Sequence, residues 1–237
     1  MNSVILINDS GADIDLIDSI LVEANLPNST ILIVLSDGYL ADDYLGCCIP
    51  RELLNYQNLI GIFNPHLNQK WDLGVALSVT GCNYKDTHPA YFTYLLGHEL
   101  GHAYICINNI TVHIHSCLIQ DFIFRASSKR ITQWHELPHE QLFDQFGISL
   151  AEKIFSRHQL REELKSLIKD PNTKDRDRLK FMLSLPTFQN FNGLRENLIQ
   201  FSKPYKAELI ALWEEEKSGS TSPSLLDLVP NFENLFE

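Results

Sequence analysis

The sequence predicts an α+β fold: a small sheet with helices near the N-terminus, a helical middle and a helical C-terminal region. Three observations carry that expectation. Short β-branched runs alternate with helix-spaced apolar residues over the first eighty positions. From Pro89 onward the apolar runs lengthen and take helical spacing. Beyond Arg157 the chain turns charged, punctuated by Pro171, Pro186 and Pro204.

Taken in order, Ser3 to Ile7 and Thr30 to Ser36 read as short strands. Between them, Asp13 to Ala24 spaces Ile14, Ile17, Ile20 and Leu21 as one helix face. Leu59 to Phe63 and Leu73 to Thr80 read as two more strands, separated by a turn at Asn64-Pro65. Pro89 suits the first turn of a helix, with Thr87 or His88 near its cap, and that helix should run from Ala90 to Ile105. Being mostly apolar, it should be buried. Thr111 to Arg125 and His139 to Phe155 are expected as further helices. The implied organisation is a main domain over 1–156, a helical region over 157–217 and a flexible tail over 218–237. Within the main domain the sheet belongs to residues 1–85 and the longer apolar helices to residues 86–156. The tail opens on Ser-Gly-Ser-Thr-Ser-Pro-Ser.

The 237 residues suffice for one large domain, and 44% hydrophobic with 21% charged is ordinary for a globular protein. A formal charge of -11 argues against nucleic acid as a partner, since phosphate contacts need clustered Lys and Arg. No apolar run is longer than that of Ile31 to Leu35, five residues, which is far short of the roughly 20 residues of a membrane span. The first basic residue is Arg51, so no positively charged region of a signal peptide is present. A cytoplasmic protein is expected, or one exported without a standard signal. Cys47, Cys48, Cys82, Cys106 and Cys117 form an odd set without CxxC spacing, which suits reduced thiols. Asp42-Asp43 and Glu214-Glu215-Glu216 read as solvated faces.

The chemistry lies in His98-Glu99-Leu100-Gly101-His102. Residues four apart on a helix share a face, so His98 and His102 can take neighbouring corners of one tetrahedral zinc. Glu99, beside the first ligand, can act as base for a water that the metal makes acidic. With 9 His and 15 Glu in the chain, chance gives only about 0.02 such matches. Three ionisable side chains in an apolar helix would be costly without a shared ion.

A third ligand is needed, and Glu140-Gln141-Leu142-Phe143-Asp144 supplies an ExxxD pattern on a later helix. Glu140 is the foremost choice, with Asp144, Glu136 and His139 as alternatives. In the ExxxD reading Asp144, one turn on, orients a ligand imidazole. Gly147 and Ala151 would let this helix approach the motif helix closely. His113 and Cys117 are also four apart and form a weaker metal pair, while His135, His139, Tyr91 and Tyr104 are open choices for an oxyanion donor. Ile105 and Asn108 stand where HExxHxxGxxH would need Gly and His, three and six residues after His102.

HExxH followed by ExxxD resembles the gluzincin branch of the zincin metallopeptidases, over about Pro89 to Glu152. The resemblance implies a zincin-like fold and zinc-dependent hydrolysis of a protein or peptide substrate. It makes His98, His102 and Glu140 the zinc ligands, Glu99 the catalytic base and Asp144 the residue behind a ligand histidine. A strand at Leu73 to Thr80 would border the cleft and pair with substrate backbone. The same motif would serve a bacterial effector that cuts a host protein. A regulatory zinc module without turnover is the rival class, and the intact Glu99 argues against it.

Overall fold

The computed structural model describes residues 3–36, 46–51, 63–78, 84–125, 134–171, 173, 176–219, 229 and 231–236. It is a mixed α+β protein whose strands form one four-stranded sheet. These are β1 (Ser3–Asn8), β2 (Thr30–Ser36), β3 (Gly46–Pro50) and β4 (Leu73–Ser78), in the order β1-β2-β4-β3. β1 pairs parallel with β2, and β2 parallel with β4, in registers that set Ile5 beside Leu32 and Ile33 beside Val75. β3 closes the far side antiparallel, with Cys48 opposite Val75.

A parallel pair needs a crossover, and α1 (Ile14–Ala24) supplies it between β1 and β2. Asp13 caps this helix by accepting from the Asp15 N–H at 3.0 Å. Asn25, in the left-handed region at φ 44°, ends it. The inward stripe is Ile17, Ile20 and Ala24, as the spacing required.

Two sequence expectations change at the sheet. Leu73 to Ser78 is a strand, but β2 takes one of its edges and β3 the other. It is therefore an interior strand with no edge for a substrate. All six of its residues are buried, as a strand of unbroken small and apolar residues requires. Beyond it, among the described residues, β3 stands at one end of the sheet, as β1 does at the other; the sequence pattern does not announce β3, and Pro50 at its end suits an edge position. Of the strand expected over Leu59 to Phe63, residues 59–62 lie outside the described residues, and Phe63 leads into the 3-10 turn Asn64–His66.

The helices are α2 (Tyr84–Thr87), α3 (Pro89–Asn108), α4 (Ile110–Arg125), α5 (Pro138–Ile154), α6 (Arg157–Lys169), α7 (Arg176–Met182), α8 (Leu194–Ser202) and α9 (Lys206–Gly219). Two compact units result. The first holds the described residues of Met1–Tyr104 and Phe143–Gln189, the second those of Ile105–Leu142 and Asn190–Glu237. α3 and α5 each run unbroken from one unit into the other. In the second unit Ile114 and Leu118 of α4 pack with Leu209, Leu212 and Trp213 of α9 and with Val229, Phe232 and Leu235. The described end of the chain thus differs from the flexible tail expected over 218–237: three apolar residues there are in a core, and α9 itself reaches Gly219.

Candidate metal centre

α3 begins as expected, with Pro89 at its first position. The Tyr91 N–H, one of the donors a helix start leaves without a partner, donates to Glu163 of α6 at 2.9 Å. Every residue from Ala90 to Gly101 is buried, so the motif sits in the interior. His98 and Glu99 are buried and His102 is half-buried.

α5 crosses this segment at two glycines. A Cβ on Gly97 would lie 2.8 Å from the Gly147 Cα, and one on Gly147 would press on the Tyr94 carbonyl oxygen and the His98 N–H. Any side chain at either position would push the helices apart. This close crossing brings Phe143 and Asp144 against the motif: the His102 and Phe143 rings are 4.1 Å apart at their centroids.

Asp144 is fully buried, and one of its oxygens, Oδ1, takes three donors. The Tyr94 hydroxyl donates at 2.6 Å, His98 Nδ1 at 2.8 Å and Arg178 Nη2 at 2.8 Å. Burial alone would push the carboxyl upward. Arg178 first, then His98 and Tyr94, more than offset it and hold Asp144 below the usual carboxylate range. Burial, aided by the Asp144 charge, pushes the Tyr94 phenol up against the smaller opposing effect of Arg178, so it stays a donor. With Nδ1 committed to Asp144, His98 turns Nε2 toward His102, whose Nε2 is 3.3 Å away.

Glu140 lies one turn before Asp144 on the unbroken α5. It is buried, and its Oε1 accepts from Gln120 of α4 at 2.6 Å. His98, His102 and Glu140 each offer a ligand atom, all within 4.8 Å of one another. Two imidazole nitrogens and a carboxylate are a donor set for a divalent metal ion. Among the described residues no other group of three such ligands exists.

No family model, curated protein or solved structure matches the chain.

The remaining site residues fall as follows. Glu99 faces β3, where Gly46 leaves space for its carboxylate that any Cβ would fill. The neighbouring Cys47 thiol is held protonated, chiefly by burial and then by the Glu99 charge. His139 is buried beside Glu140, with Nε2 3.7 Å from Oε1, and His135 is buried as well. His113 Nε2 and Cys117 Sγ are 3.7 Å apart, and no third ligand joins them among the described residues. Asp42-Asp43 lies outside the described residues.

Three contributors to the site are not expected from the sequence: Tyr94, Gln120 and Arg178. Tyr94 carries a signal, since it stands four residues before His98 on the same helix face. Gln120 and Arg178 carry none. Each reaches its carboxylate through tertiary packing, across 20 and 34 residues of sequence.

Proposed function

We propose that the chain is a zinc-dependent metallopeptidase of narrow specificity, hydrolysing a peptide bond of a protein substrate. The observation that carries this reading is the grouping of His98, His102 and Glu140 with Glu99 buried beside them. The donor set fits zinc. Nitrogens about 2.0 to 2.1 Å from a tetrahedral ion are themselves about 3.3 to 3.4 Å apart, and the two Nε2 atoms are 3.3 Å apart.

Zinc held by His98, His102 and Glu140 would supply Lewis acidity, lowering the pKa of water and polarising a scissile carbonyl. The protein's own groups do the rest. Glu99 takes the proton of the attacking water and returns it to the departing amine nitrogen. Asp144 fixes His98 in the tautomer that presents Nε2 to the metal. Gln120 holds one oxygen of Glu140 in place. Interior packing around α3 keeps bulk water from the charged groups, which strengthens every electrostatic contact among them.

β3 is the strand suited to receive an extended peptide. It stands last in the strand order of the described residues, and Gly46 on it lies against Glu99. A substrate added there as a further strand would carry its scissile carbonyl toward the base.

Comparing newly formed protein termini in cells expressing wild type and Glu99→Gln tests this proposal. Wild type should generate a small set of new termini, and the variant should retain zinc and generate none. Equal cleavage by the two would remove Glu99 as the base.

A further inference from the structure

We propose that Arg178 is a positioning residue of the metal centre, neutralising Asp144 so that the charge left around the histidines matches a divalent cation. This rests on the metal-centre reading above and extends it to a residue on a different element, α7.

Three carboxylates surround the motif histidines: Glu99, Glu140 and Asp144, all buried. A divalent ion balances two of them. Left to itself, the third would be an uncompensated charge in the interior, which is strongly unfavourable. Arg178 meets it directly, its Nη2 2.8 Å from Oδ1, with the arginine side chain 20% exposed and the aspartate wholly buried. The guanidinium thus reaches in from the surface to a wholly buried carboxylate.

The geometry explains why a cation, rather than another neutral donor, stands there. Oδ1 already accepts from the Tyr94 hydroxyl and from His98 Nδ1. Oδ1 therefore has two donors without Arg178, and what the guanidinium adds is a formal positive charge.

Arg178 acts on the metal centre through Asp144, and a double-mutant cycle isolates that path. Zinc affinity would be measured by competition with a chromophoric chelator on wild type, Arg178→Met, Arg178→Lys, Asp144→Asn and the Asp144→Asn/Arg178→Met double variant. Arg178→Met should weaken zinc binding about 10- to 100-fold, the usual cost of losing support behind a ligand. Arg178→Lys should recover most of the loss, because the charge returns. In the Asp144→Asn background, where nothing remains to neutralise, adding Arg178→Met should change affinity less than about twofold. A general folding role for Arg178 would cost the same in both backgrounds, so additive losses would overturn the proposal. So would Arg178→Met binding as tightly as wild type, or Arg178→Lys binding no better than Arg178→Met. If wild type itself binds no zinc, the metal-centre reading falls first and this inference with it. Normal wild-type binding with an additive cycle overturns this inference alone.

Discussion

Two pairs of histidines, His98 with His102 and His113 with His115, differ in their surroundings and in their spacing. His98 and His102 stand on one face of α3 among carboxylates: Asp144 behind His98, Glu140 with a carboxylate oxygen within 4.8 Å of a ring nitrogen of each, Glu99 between them in sequence. His113 and His115 of α4 are two apart and so point in different directions. Their partners are neutral: His115 Nε2 lies 3.1 Å from the Ser202 hydroxyl, and His113 Nε2 lies 3.7 Å from the Cys117 thiol. Burial, with smaller effects from His139 on both and from Arg195 on His115, lowers both to about 4. Both pairs are burials of the same side chain. Company of the opposite sign, at a spacing that lets two rings converge, is what separates a metal-ligand arrangement from a filler of the interior.

The largest effect expected concerns the carboxylates that make the difference. Glu140→Ala leaves two protein ligands and should release zinc to a weak chelator. Asp144→Ala keeps all three and should weaken binding about 10- to 100-fold. A chelator titration of both variants reads the order directly, and a greater loss in Asp144→Ala would exchange their roles.

Acid should find the other pair. For His113 and His115 the folded state holds the pKa near 4, below the ordinary histidine value of 6.5. The unfolded chain then binds more protons between pH 6.5 and 4, so stability falls as pH drops through that window and is complete above it. A shift of that size amounts to roughly 3 kcal/mol for a fully buried group. Urea melts of wild type and His113→Leu at about pH 7 and about pH 4.5 should show a smaller acid loss in the variant. Parallel losses would mean that His113 does not titrate on unfolding.

A smaller effect belongs to the crossing that brings Asp144 to His98. Gly147→Ala places a methyl against the Tyr94 carbonyl oxygen and the His98 N–H. Overpacking of this kind costs about 1 to 3 kcal/mol. Thermal melts should show that loss together with a weaker grip on zinc, because α5 must back away from α3. An unchanged melting temperature would show that the crossing has room to spare.

How much of this can be read in the sequence follows from the range of each interaction. His98, Glu99 and His102 are local, set by helical spacing on a helix that Pro89 begins, and Glu140 with Asp144 repeat that logic on α5. Local periodicity also accounts for α1, β1 and β2. What escapes it depends on partners distant in sequence. β3 is a five-residue strand, Gly-Cys-Cys-Ile-Pro, with no alternation to announce it. Because it covers β4, the strand at Leu73 is interior rather than an edge. Neither Arg178 nor Gln120 belongs to a pattern, and each takes its place only when helices pack. At the C-terminus Val229, Phe232 and Leu235 do carry three-residue apolar spacing. The Ser- and Gly-rich run ahead of them masks it.

Metal analysis of the purified chain tests the central claim most directly. Wild type and His113→Ala should each hold about one zinc per chain, removable by a strong chelator, and His98→Ala should hold almost none after dialysis. Wild type free of stoichiometric metal after growth with added zinc would contradict the account, as would equal zinc in His98→Ala.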